Sequence, residues 1–357
     1  MKKSLIALSL AALPVAAMAD VTLYGQIKAG VQVSQLKVGG EKSKTATEIV
    51  DLGSRIGFKG HEHLGSNLNA IWQVENTVSV GGNGQGTSGG KWADRDSYIG
   101  LEGGFGKIRA GRISTPVKDM DALDAWEYGS NALGLGVFTR NDSREVSVRY
   151  DTPVFSGFSA SVQYTPRDNA NPGDKYTHDE PSRDAYFGGL NYENSGFFAQ
   201  YGVGFKKNAY NNNNGDGENG QVHRVFAGYD ANNLFAGLGY QYTKGLDTLG
   251  SYASAFADAE YTPIPNDPTI KTQEVAATAA YRFGNVTPRI TYAHGFKAKT
   301  TGGDKIGDSK YDQVVVGADY DFSKRTSAMI SAGWLKFGKG ENKIQNTAGM
   351  VGLRHLF

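Results

Sequence analysis

Catalysis or metal binding would require nucleophiles, bases or ligands at workable spacings, and the six histidines of this 357-residue chain are the first place to look. His61 and His63 share a strand face around Glu62, but they fall in an expected turn with no third ligand at a metal-site spacing. His223 or His294 could act as a base, yet no nucleophile elbow, a serine on a tight strand-to-helix turn, supplies its partner. The run GGNGQG, Gly81 to Gly86, has the glycines of a phosphate loop without the helix that must follow. It reads as a flexible external loop, as does the polar tip at Asn211 to Asn214. Cysteine is absent, which removes disulfides and thiolate metal sites. The chain is therefore expected to be no enzyme and to hold no metal or cofactor.

What the sequence does offer is charge at regular positions. Lys28, Arg55, Arg109 and Arg149 each stand beside an aliphatic neighbour, Ile27, Ile56, Ile108 and Val148. In a strand such neighbours point to opposite faces, so four cations share the wet side of whatever sheet these segments build. A second set lies in the segment from Ile113 to Asn141, which is too long for an ordinary connector and too apolar for disorder. Thr115 and Pro116 suit the cap and first position of a short helix there, with Val117, Met120, Leu123 and Trp126 on one side. Asp119, Asp121, Asp124 and Glu127 fall largely elsewhere on it. Cations facing carboxylates across a narrow gap would set up a field that orients and sorts passing solutes.

The elements that must position these residues are strands. From Val21 the apolar residues Val21, Leu23, Ile27, Ala29, Val31 and Val33 alternate with Thr22, Tyr24, Gln26, Lys28 and Gln32. The next segment puts Val50, Leu52, Ile56 and Phe58 on one side and Asp51, Arg55 and Lys59 on the other. Similar segments recur to the C-terminus, separated alternately by short turns rich in Gly, Asn, Asp or Pro and by long polar connectors. Seven short and eight long connectors join sixteen strands. An up-and-down barrel sorts its loops in this way, with short turns on one rim and long loops on the other. Sixteen strands leave an aqueous lumen.

Residues 1–19 read as a secretory signal, with Lys2 and Lys3, an apolar stretch and a small-residue cleavage site, leaving 20–357 as the barrel domain. No later run is long and apolar enough for a transmembrane helix. Without the two signal lysines, 35 basic residues face 36 acidic ones, a balance unlike that of a nucleic-acid binder. A charge on the lipid face of a barrel costs about 2–4 kcal/mol at mid-bilayer, which supports an inward placement of Lys28, Arg55, Arg109 and Arg149. The last strand, Ala348 to Phe357, ends on an aromatic that can close against the first. The apolar face of the 113–141 segment can be buried inside the lumen or over the outer rim, and periodicity does not choose between them.

Several segments resemble the trimeric porins of the neisserial class, within the general diffusion porins of Gram-negative outer membranes. They are ADVTLYGQIKAGV (19–31), DLGSRIGFKG (51–60), YIGLEGGFGKIRAGR (98–112), SVRYDTPVFSGFSASVQY (147–164), YRFGNVTPRITYAHGF (281–296) and YDQVVVGADYDFSKRTSAMISAGWL (311–335). The resemblance implies an all-β, 16-stranded antiparallel transmembrane barrel with its third external loop folded into the lumen, assembled as a homotrimer. It implies an outer-membrane location, in contact with lipid and lipopolysaccharide, and passive diffusion of ions and small hydrophilic solutes through a charged constriction. By the same resemblance Arg95 and Arg112 join the pore-lining basic set. The alternative is an adhesin or structural barrel acting through its surface loops.

Overall fold

Period-two alternation of wet and dry residues gives strands that satisfy their backbone only by pairing on both edges, and the chain achieves this by closing on itself. The computed structural model describes residues 20–81, 92–211 and 217–357. The expected signal peptide, residues 82–86 of the glycine run and residues 212–214 of the asparagine tip lie outside the described residues. Sixteen antiparallel strands form the wall: β1 (Asp20–Val38), β2 (Ala46–Asp51 continued by Arg55–Gly65), β3 (Leu68–Thr77), β4 (Ser97–Gly103), β5 (Gly106–Ser114) and β6 (Arg144–Asp151). β7 (Phe158–Thr165), β8 (Ala185–Asn194), β9 (Phe197–Asn211), β10 (Gly217–Ala231) and β11 (Leu234–Thr248) follow. The circuit ends with β12 (Thr269–Tyr281), β13 (Val286–Gly295), β14 (Tyr311–Asp321), β15 (Thr326–Phe337) and β16 (Ile344–Leu356). β16 pairs with β1 from Gln26↔Leu356 to Val38↔Ile344, and Phe357 adds two backbone bonds to Gly25.

Connectors alternate short and long as expected. At Ser66–Asn67, Ser195–Gly196 and Asn232–Asn233 both central residues have positive φ, the signature of two-residue hairpin turns whose twist matches that of the strands. Val21, Leu23, Ile99, Leu238, Ile290, Ile330 and Leu353 are exposed on the outer face, while Gln32, Arg149, Arg224, Gln241, Thr291 and Gln313 are buried on the inner one.

β2 departs from simple alternation. Between the pairs Ala29↔Asp51 and Gln26↔Arg55, two residues of β1 face three of β2, a bulge at Leu52, Gly53 and Ser54 with Gly53 at φ 91°. The Asp51 carboxylate accepts from Gly53 N (2.9 Å) and Ser54 N (3.1 Å), and Lys28 N donates to Ser54 Oγ (2.9 Å). The extra residue flips parity, so the expected common face of Val50, Leu52, Ile56 and Phe58 is split. Val50 and Leu52 are 1% and 4% exposed and point inward, whereas Ile56 and Phe58 point out beside Gly25 and Leu23.

A hydrophobic core lies on the inner side of this wall. It joins Leu123, Leu133, Leu135, Val137 and Phe138 of loop 3 (residues 115–143) to Met329, Leu335, Phe337 and Met350 of the wall. The connector between β11 and β12 adds Tyr252 and Phe256 from a two-turn helix, Leu249–Phe256, whose start is closed by a reciprocal Thr248/Ser251 capping box. The inner surface of a membrane barrel thus holds a packed interior of the kind found in soluble proteins.

Candidate functional site

Loop 3 is gripped by the inner face of strand after strand. The Arg224 guanidinium donates to Val117 O (2.8 Å), Thr278 Oγ1 to Leu123 O (2.7 Å), and Trp126 Nε1 to Thr291 Oγ1 (2.8 Å). Gln313 Nε2 donates to both Asn131 O and Gly134 O (2.7 Å each), and Gln241 Nε2 to Phe138 O (2.7 Å). All four expected anchors, Val117, Met120, Leu123 and Trp126, are buried.

The expected short helix is not there. Thr115 caps one turn through Lys118 N→Oγ1 (3.3 Å) and Asp119 N→Thr115 O (3.0 Å), a second turn is closed by Asp124 N→Asp121 O (2.9 Å), and no regular helix forms between residues 115 and 130. Geometry explains this, because Met120 meets Gly202 of β9 and Trp126 meets Gly317 of β14. Those five inter-strand steps measure roughly 24 Å around the wall and less across its inner curve, a span that six residues of helix, rising about 9 Å, would leave far from bridged.

Where loop 3 leaves the wall it bounds a cavity of about 470 Å³. On the barrel side stand Arg55, Glu75, Arg95, Asp96 and Arg144; on the loop side stand Lys118, Asp119, Asp121, Asp124, Tyr128 and Asp142. Arg95 Nε contacts Glu75 Oε1 at 2.5 Å while Arg55 Nε stays 3.6 Å from the same carboxylate, leaving Arg55 partly exposed. Arg144 pairs with Asp96 (2.9 Å) and buried Arg224 with Asp142 (2.6 Å). Asp121 is exposed, with no ion pair among the described residues. Asp124 accepts from Tyr128 Oη (2.7 Å) and Leu135 N (3.1 Å), and burial pushes its carboxyl up to about 6 despite those bonds.

The sequence-expected residues divide into three groups. Arg55, Arg95, Asp119, Asp121 and Asp124 meet around the cavity. Lys28 and Arg149 point inward but are spent on fastening the loop, Lys28 to Glu127 and Arg149 to Asp119, each at 2.5 Å. Lys28 lies directly opposite Arg354 across the β1–β16 junction, and Glu127 reaches that cation as well (3.4 Å). Arg109 is inward, paired with Asp151 (2.6 Å) and stacked over Tyr98. Arg112 corrects the expectation: the β5–β6 register runs unbroken from Ile108 through Arg112 to Ser114, so Arg112 shares outward parity with Ile108 and Ala110. It is exposed and donates to Asp94 O (2.8 Å).

Lys118, Arg144, Asp142 and Glu75 were not singled out from sequence. Glu75 was readable, since it falls on the wet parity of β3 opposite Gly57; Arg144, at the very start of β6, and the loop residues Lys118 and Asp142 carried no such signal. Three of the four candidate histidines are otherwise engaged. His63 bonds Asn69, His223 bonds the Tyr201 hydroxyl and His294 bonds Asp312. Among the described residues no His, Asp and Glu cluster could hold a metal.

A closed sixteen-stranded barrel with an apolar exterior, and a charged cavity beside a loop bound to its inner wall, defines the class of outer-membrane channel barrels. Residues 23–357 match the Gram-negative porin family, and the chain belongs to that family. It is 56% identical over 378 positions to the major outer membrane protein P.IB of Neisseria sicca and 51% identical over 361 to that of Neisseria meningitidis serogroup B, with all of each chain covered. Among solved structures it is similar to an anion-selective porin from Comamonas acidovorans, at TM-score 0.69 and 22% identity over 95% of this chain and 100% of that one. Salmonella typhi OmpF gives TM-score 0.65 and 19% identity over 94% and 97%. The neisserial resemblance and the sixteen-stranded barrel are thereby borne out, and the protein is an outer-membrane porin.

Proposed function

We propose that ions and small hydrophilic solutes diffuse passively through the passage between loop 3 and strands β2 to β6, sorted first by size and then weakly by charge. The observation that carries this reading is the cavity where Arg55, Arg95 and Arg144 face Asp119, Asp121 and Asp124. Four cations and six carboxyls line it, and Arg149 and Arg224 pair with two of those acids, so fixed charge nearly cancels. A balanced ring in a narrow space orients dipoles without excluding either sign of ion.

A homotrimer set in outer-membrane lipid and lipopolysaccharide completes the proposal. Aromatic pairs that favour a membrane interface gather on the outer face of β7 to β14, as Phe158–Tyr192, Phe197–Tyr229 and Tyr320–Phe322. The outer face of β1 to β5 is instead dominated by exposed aliphatics such as Val21, Leu23, Val31, Ile99 and Ile108, a surface suited to another subunit.

Planar-bilayer recording tests both parts. Open steps grouped in threes are expected, with a small reversal potential in a salt gradient that moves toward cations in Arg55→Gln/Arg95→Gln. Protein that leaves the bilayer insulating would end the permeation reading.

A further inference from the structure

Loop 3 does not rest on a smooth wall. Where it touches the inner face, the wall residue is repeatedly glycine. Gly189 on β8 receives Pro116, Gly202 on β9 receives Val117 and Met120, and Gly237 and Gly239 on β11 receive Leu123. Gly317 on β14 receives the Trp126 ring, and Gly333 on β15 receives the Ala132 backbone. Contact order along the loop is strand order around the wall.

None of these six glycines has a positive φ, so its own conformation does not require glycine, although a methyl on Gly317 would also overlap Ile330 O of β15 and one on Gly189 would stand 2.6 Å from Ser161 Oγ of β7. Glycine in a strand interior weakens the strand unless something must come close. Here something does. A methyl placed on Gly202 would stand 2.6 Å from Met120 Sδ, and one on Gly317 2.9 Å from Trp126 Cζ3. Methyls on Gly237 and Gly239 would each stand 2.5 Å from a different δ-carbon of Leu123. Carbon atoms settle at about 3.5–4.0 Å, so each methyl would claim space the loop now fills.

We propose that these wall glycines are positioning residues for permeation: their missing side chains let loop 3 sink into the wall, and the depth of that seat sets the width of the passage. The inference rests on the reading that the passage conducts. Leu123 is its most sensitive point. Asp121 and Asp124, on either side of it, line the cavity, so lifting Leu123 off β11 carries both carboxyls toward Arg55 and Arg95.

The test uses the full-length protein reconstituted in planar bilayers, carrying Gly237→Ala and Gly239→Ala together. Both branches of Leu123 then lose their space at once, and the methyl on Gly239 also meets the Phe226 ring at 2.8 Å. Single-channel conductance is expected to fall to about half, with a lower size cut-off for neutral polymers. Adding Leu123→Ala to that background removes three carbons for the two introduced and restores the wild-type conductance. Full conductance in the double variant, or failure of Leu123→Ala to restore it, overturns the proposal. Leu123→Ala alone leaves the wall untouched and covers the case where the double variant does not assemble. It is expected to raise open-channel noise and the size cut-off, and a quiet, unchanged channel would overturn the proposal too. A wild-type protein that does not conduct refutes the permeation reading instead, so the two failures are distinct.

Discussion

Acidification should make the channel prefer anions, chiefly through Asp124, with burial also raising the carboxyls of Asp119, Asp121 and Asp142 in the same ring. Asp124 lines the passage and burial raises its carboxyl to about 6, so it is neutral below that pH and charged above it. Between pH 7.5 and pH 5 its ionised fraction drops from about 97% to about 9%, removing nearly a whole negative charge from a ring that is otherwise balanced. For an ion passing about 7 Å away in a water-like medium, one charge is worth about 0.6 kcal/mol, or about 0.3 after screening in 0.1 M salt. Anions gain and cations lose by that amount, which moves the permeability ratio about threefold. In a tenfold salt gradient the reversal potential then shifts by about 20 mV toward the anion limit. Asp124→Asn preserves the shape of the group, and its bond from Leu135 N, while fixing the charge at zero. The variant should therefore show the acid value at pH 7.5 and little further change on titration. If Asp124→Asn retained the full wild-type shift, the titrating group would lie elsewhere and the assignment would be wrong.

Three further perturbations separate roles within the lumen. Arg112→Gln should leave selectivity unmoved because its side chain faces outward, whereas Arg55→Gln should shift the reversal potential toward cations; equal shifts in both would contradict the β5 parity. Arg140→Ala strands the fully buried Glu274, its partner at 2.6 Å, and should destabilise the barrel by about 3–5 kcal/mol, seen as a lower unfolding temperature in detergent. Trp126→Ala removes a buried ring bonded to Thr291 and stacked under Arg289. It should weaken loop seating by about 3–5 kcal/mol, seen as faster proteolysis within residues 115–143, and an unchanged cleavage rate would refute that anchor.

Much of the wall was legible because a membrane barrel repeats one local rule. Val21 to Val33 show the outward face directly, and turns such as Asn232–Asn233 announce themselves by residue type. The rule fails where an extra residue enters. The DLGS segment, Asp51 to Ser54, contains the Asp and Gly of a bulge, and reading it so would have turned Val50 and Leu52 inward. Arg112 is the opposite case, since unbroken parity from Ile108 points it outward and only its family resemblance points it into the lumen. The loop was legible in content but not in path. Val117, Met120, Leu123 and Trp126 have helical spacing and are all buried, yet they dock on strands far apart in sequence, which no local pattern encodes. The inward course of Tyr252 and Phe256 was hidden likewise: Thr248 and Ser251 mark a helix start, but nothing nearby says what that helix will cover.

The placement of Glu127 links the two ends of the chain to its middle. Lys28 and Arg354 belong to the first and last strands and meet face to face where the circle shuts, a contact between like charges that opposes shutting. The carboxylate that relieves it is carried in from a distant connector, and Ser130 repeats the pattern one level away by bonding Gln32 of β1 and Asn346 of β16. Ring closure and loop seating are therefore reciprocally coupled, each raising the equilibrium constant of the other by the same factor. A cylinder closed without its loop, or a loop inserted into a gaping cylinder, lacks that mutual support, so the finished barrel arrives with its loop already in place.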